Sequence, residues 1–212
     1  MITVVANLKG GSGKSTVVFN LALWLQMKGQ PVVVYDLDPQ QTLLDVADVR
    51  REEGLTPPLQ VYPPRDSLLD DLNYHPKKTH VLVDVGAANL EAMKTAIATS
   101  DQVIIPVPPS QPDVWATQRF LDIVEEATSG KKLKMNAFVN RADTHRQVRE
   151  SDDTETLLMQ LPGVDVVPNR LFQRTIFRRS LSEGMAVFEM SKRSKATTEL
   201  NAFASTVFPG LA

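Results

Sequence analysis

Residues 7–16 read Asn-Leu-Lys-Gly-Gly-Ser-Gly-Lys-Ser-Thr, a glycine-rich stretch that contains two lysines. An apolar run at 2–6 comes directly before it, and an amphipathic helical pattern begins at Lys14. Glycines let successive N–H groups turn toward a phosphate, and the helix that follows adds the positive end of its dipole. Strand, loop and helix in this order predict an α/β fold with a phosphate site after the first strand.

The polar side chains of this loop have predicted roles in a nucleotide site. Lys14 would reach the β and γ phosphates, and Ser15 would offer its hydroxyl to Mg²⁺. Lys9 brings a second ammonium, which like-charge repulsion disfavours unless a second nucleotide, on a second subunit, supplies its phosphates. The predicted nucleotide contacts in the loop are Gly10, Gly11, Ser12, Gly13, Lys14, Ser15 and Thr16.

Short apolar runs alternate with longer helical patterns along the rest of the chain. The predicted strands lie at 2–6, 31–36, 59–62, 80–84, 102–106, 135–140 and 164–167, and the predicted helices at 14–28, 41–53, 67–72, 90–98, 114–127, 145–160, 175–182 and 195–207. This alternation is typical of a parallel sheet with crossover helices. We therefore expect one domain over residues 1–212, a doubly wound, mostly parallel sheet with helices on both faces.

Two of the predicted strands end in aspartate, Asp36 and Asp84. Ligands gather at the carboxyl ends of strands in open parallel sheets. A carboxylate there can deliver a hard oxygen ligand toward Mg²⁺ or its waters, as a Walker B element does, and Asp84 is our candidate for this role. An aspartate in this position is also a common helix N-cap or turn residue, so the metal role depends on the neighbouring phosphate loop.

The motif at 9–16 resembles the deviant Walker motif of the ParA/MinD superfamily of dimerising ATPases. The resemblance is closest to small ParA-type proteins that lack a helix-turn-helix domain, and by motif order it covers about residues 2–208. It implies ATP and Mg²⁺ as cofactors and a homodimer in which Lys9 reaches the partner's ATP. It also implies that Asp38, in Asp-Leu-Asp-Pro-Gln, orients the attacking water and responds to Mg²⁺. The predicted catalytic residues are therefore Lys9, Lys14 and Asp38, and the predicted metal residues are Ser15, Asp38 and Asp84.

Two asparagines are candidates for the adenine contact that the resemblance implies. Asn140 ends the sixth predicted strand and is similar to the base-contacting asparagine of the superfamily, and Asn169 has the corresponding place after the seventh. The proline-rich segment at 106–113 also resembles a family segment. We expect it to line the nucleotide cleft or the dimer face, with a stiff turn capped by Asp113 as the alternative.

A cluster of basic residues lies near the end of a chain whose net charge is −2. Its arginines recur at spacings near four, so that most would share one face of a helix and neutralise phosphates without reading bases. A solvated helix face is the alternative, but the resemblance implies that ATP-bound dimers bind nonspecific DNA through this region. The predicted DNA-binding residues are Arg170, Arg174, Arg178, Arg179, Lys192, Arg193 and Lys195.

Composition excludes several classes of protein. The chain has no cysteine, which excludes disulfide frameworks, zinc sites built on thiolates and cysteine-ligated iron–sulfur clusters. It has neither an apolar run of 18 residues nor a basic-then-apolar leader. We expect a cytoplasmic protein with no membrane partner, associated with the nucleoid of a prokaryote.

The resemblance implies an ATPase that partitions or positions a cargo such as a plasmid, a chromosome region or a protein organelle. A ParB-like or other small adaptor protein would stimulate its hydrolysis. One alternative is a MinD-like membrane-cycling ATPase, which would carry a basic amphipathic tail. The other is an ATP-dependent biosynthetic ligase of the dethiobiotin-synthetase-like class, which has less reason for Lys9 and for the basic cluster.

Overall fold

The computed structural model describes residues 1–63, 67–145 and 147–211. Strands and helices alternate along most of these residues, as the hydrophobic pattern predicts. The strands are β1 Ile2–Ala6, β2 Val32–Asp36, β3 Val61–Tyr62, β4 His80–Val85, β5 Gln102–Val107, β6 Lys134–Ala142, β7 Asp165–Val166 and β8 Leu171–Phe172. The helices are α1 Lys14–Met27, α2 Thr42–Glu52, α3 Leu68–Tyr74, α4 Leu90–Thr99, α5 Gln111–Thr128, α6 Glu150–Leu158, α7 Thr175–Ser182, α8 Val187–Met190 and α9 Lys195–Val207.

The described strands form one 8-stranded sheet in the order β3-β2-β4-β1-β5-β6-β7, with β8 paired to β6. The pairings within it are parallel. β1 is central, between β4 and β5, so the loop that follows it emerges in the middle of the carboxyl edge. The register pairs Asp84 with Asp36 on one side and with Val5 on the other, which brings both predicted aspartates beside that loop.

Apolar residues of each strand point alternately to two cores, one on each face of the sheet. Val5, Leu82 and Ile104 face one core, which also contains most of α1. Val4 and Val83 face the other, beneath α4 and α5. The prediction that this helix is amphipathic is wrong: α1 is packed between the sheet and later helices, and residues 17–25 are buried on all sides of it.

The predicted fold class is confirmed: the chain is α/β, with a parallel sheet and helices on both faces. The predicted start of the sixth helix is wrong, because α6 begins at Glu150 rather than at residue 145. The Asp143 carboxylate accepts from the His145 N–H at 2.7 Å and holds a turn there instead. Arg146, which falls within the predicted helix, lies outside the described residues. The short elements β8 and α8 were not predicted.

Within the described residues, none of the helices has the length and apolar character that crossing a bilayer requires.

Candidate functional site

The glycine-rich loop leads from β1 into the N-terminus of α1. Gly13 is the N-cap of α1 in a left-handed conformation with φ of 90°, and no side chain caps the helix. The first N–H groups of α1 are therefore directed toward any anion bound in the loop. Lys14 is only 7% exposed, and its Nζ donates to the carbonyl of Lys9 at 3.4 Å. The Lys14 side chain thus lies along the loop, where it can reach a bound phosphate.

The first lysine of the loop has a different environment. The buried Asn7 fixes the start of the loop, because its Nδ2 donates to the Pro106 carbonyl at 2.9 Å and its Oδ1 accepts from the Lys9 N–H at 3.2 Å. Lys9 is exposed. Within the described residues its side chain has no ion-pair partner. One lysine therefore faces the loop and the other faces solvent.

Asp36 and Asp38 differ in what they contact. Asp36 is fully buried, and its Oδ2 accepts from the N–H groups of Leu43 and Leu44 at 2.8 and 3.3 Å. It therefore holds the first turn of α2 against the sheet, and burial raises its pKa. Asp38 is half-buried beside Gly86, where a side chain on residue 86 would collide with its Oδ2. Gly86, which the sequence analysis did not select as a site residue, thus leaves room for the Asp38 carboxylate.

Asp84 is also buried. It is 1% exposed, and within the described part of the chain neither of its carboxylate oxygens lies in hydrogen-bonding geometry with a donor. Burial raises its pKa to about 7, and the neighbouring Ser15 hydroxyl and Lys14 ammonium only partly oppose this shift. A buried carboxylate with two unpartnered oxygens is unfavourable by itself, and a cation would satisfy it.

The residues present fit a magnesium ion that arrives with a nucleotide. Within the described residues no group of three or more histidine, cysteine or acidic side chains forms a metal cage. Mg²⁺ does not require one, because it is commonly held by one or two carboxylates, a hydroxyl and phosphate oxygens. Asp84, Asp38 and the Ser15 hydroxyl are hard oxygen donors of this kind. The unpartnered oxygens of Asp84 are the observation that supports the fit.

A cavity of about 740 Å³ opens at the loop. Its lining includes Lys14, Asp38 and Asn140, but within the described residues it does not include Asn169. Asn169 instead accepts from the Thr206 hydroxyl at 2.8 Å through its Oδ1. Of the two predicted adenine contacts, only Asn140 therefore lies beside the phosphate loop.

Residue 141 was not selected from the sequence, yet it contacts the loop. The Nη1 atom of Arg141 donates to the Gly11 carbonyl at 2.6 Å, and the Nδ2 atom of Asn140 donates to the Ser12 carbonyl at 2.6 Å. Both residues lie within the last three positions of β6. The only signal in the sequence was the polar Asn-Arg pair at the end of an apolar strand.

The proline-rich segment contributes a helix start rather than cavity lining. Residues 106–113 are not among the described residues that line the cavity. The N-cap of α5 is Ser110, whose side chain accepts from the Asp113 N–H at 3.2 Å. The expectation that Asp113 itself caps the helix was wrong, because α5 begins earlier, at Gln111.

The predicted basic cluster divides into paired and unpaired residues. Arg170 lies before β8 and contacts Asp152 and Glu155, whereas Arg174 is the N-cap of α7 and contacts Glu199. Arg179 pairs with Glu183 at 2.7 Å. Neither Arg170 nor Arg174 shares a helix face with the others, so the single arginine stripe expected from the spacing is not formed. Four exposed residues have no ion-pair partner within the described part of the chain: Arg178, Lys192, Arg193 and Lys195.

A known protein family matches the part of the chain that contains the loop and the elements around it. The family described as the CobQ/CobB/MinD/ParA nucleotide binding domain matches residues 3–187, which include the loop, β2, β4 and α7. The chain belongs to this family. The resemblance to ParA/MinD proteins that the loop indicated is thereby confirmed.

Relatives of this CobQ/CobB/MinD/ParA protein match it along almost its whole length. Maintenance of carboxysome distribution protein A of Halothiobacillus neapolitanus is 29% identical over 209 residues, 97% of this chain and 95% of that protein. Protein ParA of Rhizobium radiobacter is 26% identical over 218 residues, 99% of this chain and 97% of that protein.

Solved structures share the fold of this family member. A plasmid partition protein from Borrelia burgdorferi bound to AMPPNP superposes with a TM-score of 0.77 at 18% identity, covering 98% of each chain. Apo McdA of Cyanothece superposes with a TM-score of 0.77 at 17% identity, covering 97% of this chain and 98% of the other.

Proposed function

We propose that this protein is an ATP-dependent, dimerising ATPase that binds nonspecific DNA and positions or partitions a cargo over the nucleoid. The observation that carries the proposal is the different placement of two lysines in one phosphate loop, with Lys14 buried along the loop and Lys9 exposed. The names of two relatives, a carboxysome distribution protein and a ParA protein, support positioning or partition as the role.

Hydrolysis of ATP needs positioning and charge stabilisation rather than covalent chemistry. The loop N–H groups and Lys14 bind the β and γ phosphates. Ser15 and Asp84 would hold Mg²⁺, which would neutralise charge on the transferring phosphoryl group. Asp38 orients a water for in-line attack on the γ phosphorus. The water oxygen forms a bond to the γ phosphorus as the bond from that phosphorus to the bridging oxygen breaks; ADP leaves with the bridging oxygen, and the protons of the water go to phosphate and solvent.

The exposed position of Lys9 supports the proposed dimer. Lys9 follows the carboxyl end of β1 and precedes Gly10, which lines the cavity. In the proposed dimer its ammonium reaches the nucleotide of the partner subunit. Dimerisation then depends on a bound triphosphate, because without it the two loops bring like charges together.

The proposed DNA-binding face consists of the basic side chains of the predicted cluster that have no ion-pair partner among the described residues. Nonspecific binding comes from cations that neutralise phosphates, and a cation already paired with a carboxylate contributes less. Of the seven predicted residues, Arg178, Lys192, Arg193 and Lys195 are therefore better placed than Arg170, Arg174 and Arg179. A small adaptor protein, ParB-like or of another kind, would stimulate hydrolysis and release the DNA.

Gel-shift titrations with ATP, ADP and no nucleotide test the DNA switch. We expect retention of DNA with ATP only, and loss of most binding in Lys192→Gln/Arg193→Gln. The matched control is Lys131→Gln/Lys132→Gln, which removes the same charge from exposed residues before β6. Equal binding in all three nucleotide states, or equal loss in both double variants, would refute this DNA-binding face.

Size-exclusion chromatography with a nonhydrolysable ATP analogue tests the dimer. Wild type is expected to shift to twice its monomer mass, while Lys9→Ala stays monomeric but still binds nucleotide through Lys14. A Lys9→Ala protein that dimerises like wild type would contradict the proposed role of Lys9.

A further inference from the structure

β6 ends in an irregularity that changes where its last side chains point. Asn140 pairs with Leu171 of β8 and Ala142 pairs with the next residue, Phe172, so Arg141 between them has no opposite residue in β8. Arg141 has a φ of 59°. In a regular strand, consecutive side chains point to opposite faces. A bulge re-aims a side chain, and here it allows Asn140 and Arg141 to approach the same loop.

Both side chains donate to carbonyls of the phosphate loop. Asn140 Nδ2 lies 2.6 Å from the Ser12 oxygen, and Arg141 Nη1 lies 2.6 Å from the Gly11 oxygen. A peptide plane carries its C=O and the next N–H in opposite directions. Holding these two carbonyls toward β6 therefore turns the N–H groups of Ser12 and Gly13 away from β6. Those N–H groups belong to the part of the loop that binds phosphate.

The close approach depends on glycine in the loop and on an unfavourable conformation at Arg141. A Cβ on Gly13 would overlap the Asn140 amide nitrogen, so the asparagine can take up this position against the Ser12 carbonyl only because residue 13 is glycine. A left-handed arginine is sparsely populated and persists only where its surroundings hold it, and such strain often accompanies functional sites. Asn140 is 6% exposed, whereas Arg141 is exposed.

We propose that Asn140 and Arg141 form a brace that positions the phosphate loop before nucleotide arrives, with Arg141 a positioning residue and not a catalytic one. This inference rests on the proposed nucleotide site. The brace supplies preorganisation: the loop amides already face the phosphates, and less ordering is needed when ATP binds.

Arg141→Gly is the test variant, because glycine accepts the left-handed backbone and removes the whole side chain, including the guanidinium that contacts the loop. Ser129→Gly is the matched control, since Ser129 is another left-handed residue, with φ of 51°, and is far along the chain from the loop. The rate of amide hydrogen exchange in the nucleotide-free protein measures directly how firmly the brace holds the loop. We expect the amides of residues 10–14 to exchange at least about tenfold faster in Arg141→Gly, with no such change in Ser129→Gly and no loss of melting temperature in either.

Nucleotide affinity is the second readout. The dissociation constants for ATP and ADP are expected to rise about tenfold in Arg141→Gly, the effect of losing one charge-assisted hydrogen bond, and Arg141→Lys should recover part of the loss. Wild-type exchange and wild-type affinity in Arg141→Gly would overturn the brace. If the loop amides exchange faster but wild type itself binds no ATP, the brace holds and the proposed function fails.

Discussion

Replacing Asp84 by asparagine should stabilise the nucleotide-free protein at pH 8 while weakening its stabilisation by Mg-ATP. Asp84 is 1% exposed, and burial raises its pKa from 3.8 to about 7. In the unfolded chain the carboxyl group ionises near its ordinary value. Ionisation therefore favours the unfolded state, and an amide, which does not ionise, removes this penalty.

The direction and size of the change in the free energy of unfolding follow from the linkage between folding and proton binding. Between pH 3.8 and pH 7 the folded state binds more protons at Asp84 than the unfolded state, so stability falls as pH rises through this window and is level above it. The shift of about 3 units corresponds to about 4 kcal/mol at 1.36 kcal/mol per unit. We expect Asp84→Asn to raise the free energy of unfolding by about 2 to 4 kcal/mol at pH 8, and by less than half of that at pH 5. For a chain of this size this is roughly a 10 °C increase in melting temperature.

Urea unfolding followed by circular dichroism, in EDTA and without nucleotide, measures this difference at pH 5, 6, 7 and 8. Asp122→Asn, on the exposed face of α5, is the control and should not change stability at any of these values. Adding Mg-ATP should stabilise wild type more than Asp84→Asn, because the variant keeps the phosphate loop and Lys14 but loses a metal ligand. A variant no more stable than wild type at pH 8, or a gain that does not grow with pH, would refute the reasoning.

Three further substitutions each test the contacts made at one residue. Gly86→Ala places a methyl group against the Asp38 carboxylate, so kcat for ATP hydrolysis should fall at least about tenfold while the dissociation constant for ATP changes little. Arg50→Met removes the fully buried guanidinium that donates to the Glu189 carboxylate and to the Pro57 and Gly184 carbonyls, and guanidinium unfolding should show a loss of about 3 kcal/mol. Ser110→Ala removes the N-cap of α5, and thermal unfolding should report a loss of about 1 kcal/mol.

The central strands and the phosphate loop could be predicted from the sequence because their signals are local. β1 is an apolar run followed at once by glycines, and it has the bounds expected, Ile2–Ala6. β2 is an apolar run that ends in Asp36, and β4 is one that ends a residue after Asp84; burial on both faces of a parallel sheet requires such continuous runs. β8 and α8 gave no comparable signal: β8 has two residues and α8 has four. β3 and β7 are as short as β8, but they lie within the predicted runs at 59–62 and 164–167, which prolines bound.

The basic cluster shows what local spacing cannot predict. Arg170, Arg174 and Arg178 are four residues apart, but the helix begins only at Thr175. The carboxylates that pair with Arg170 and Arg174 come from α6 and α9, distant in sequence, and a spacing argument has no access to them. In the same way, Arg141 reaches the phosphate loop only because of a bulge that the sequence does not reveal.

The two helices that follow the nucleotide-binding loops both contact the segment that carries Arg178. From α1, Asn20 donates to the Ser180 hydroxyl at 3.1 Å and accepts from the Val187 N–H at 2.9 Å. From α2, which follows Asp38, Arg50 donates to the Gly184 carbonyl at 2.7 Å. A nucleotide that shifts α1 or α2 must therefore either move α7 and α8 or break buried hydrogen bonds, which is unfavourable. These contacts support DNA binding that depends on nucleotide, since the proposed binding face is attached to both helices that would respond to ATP.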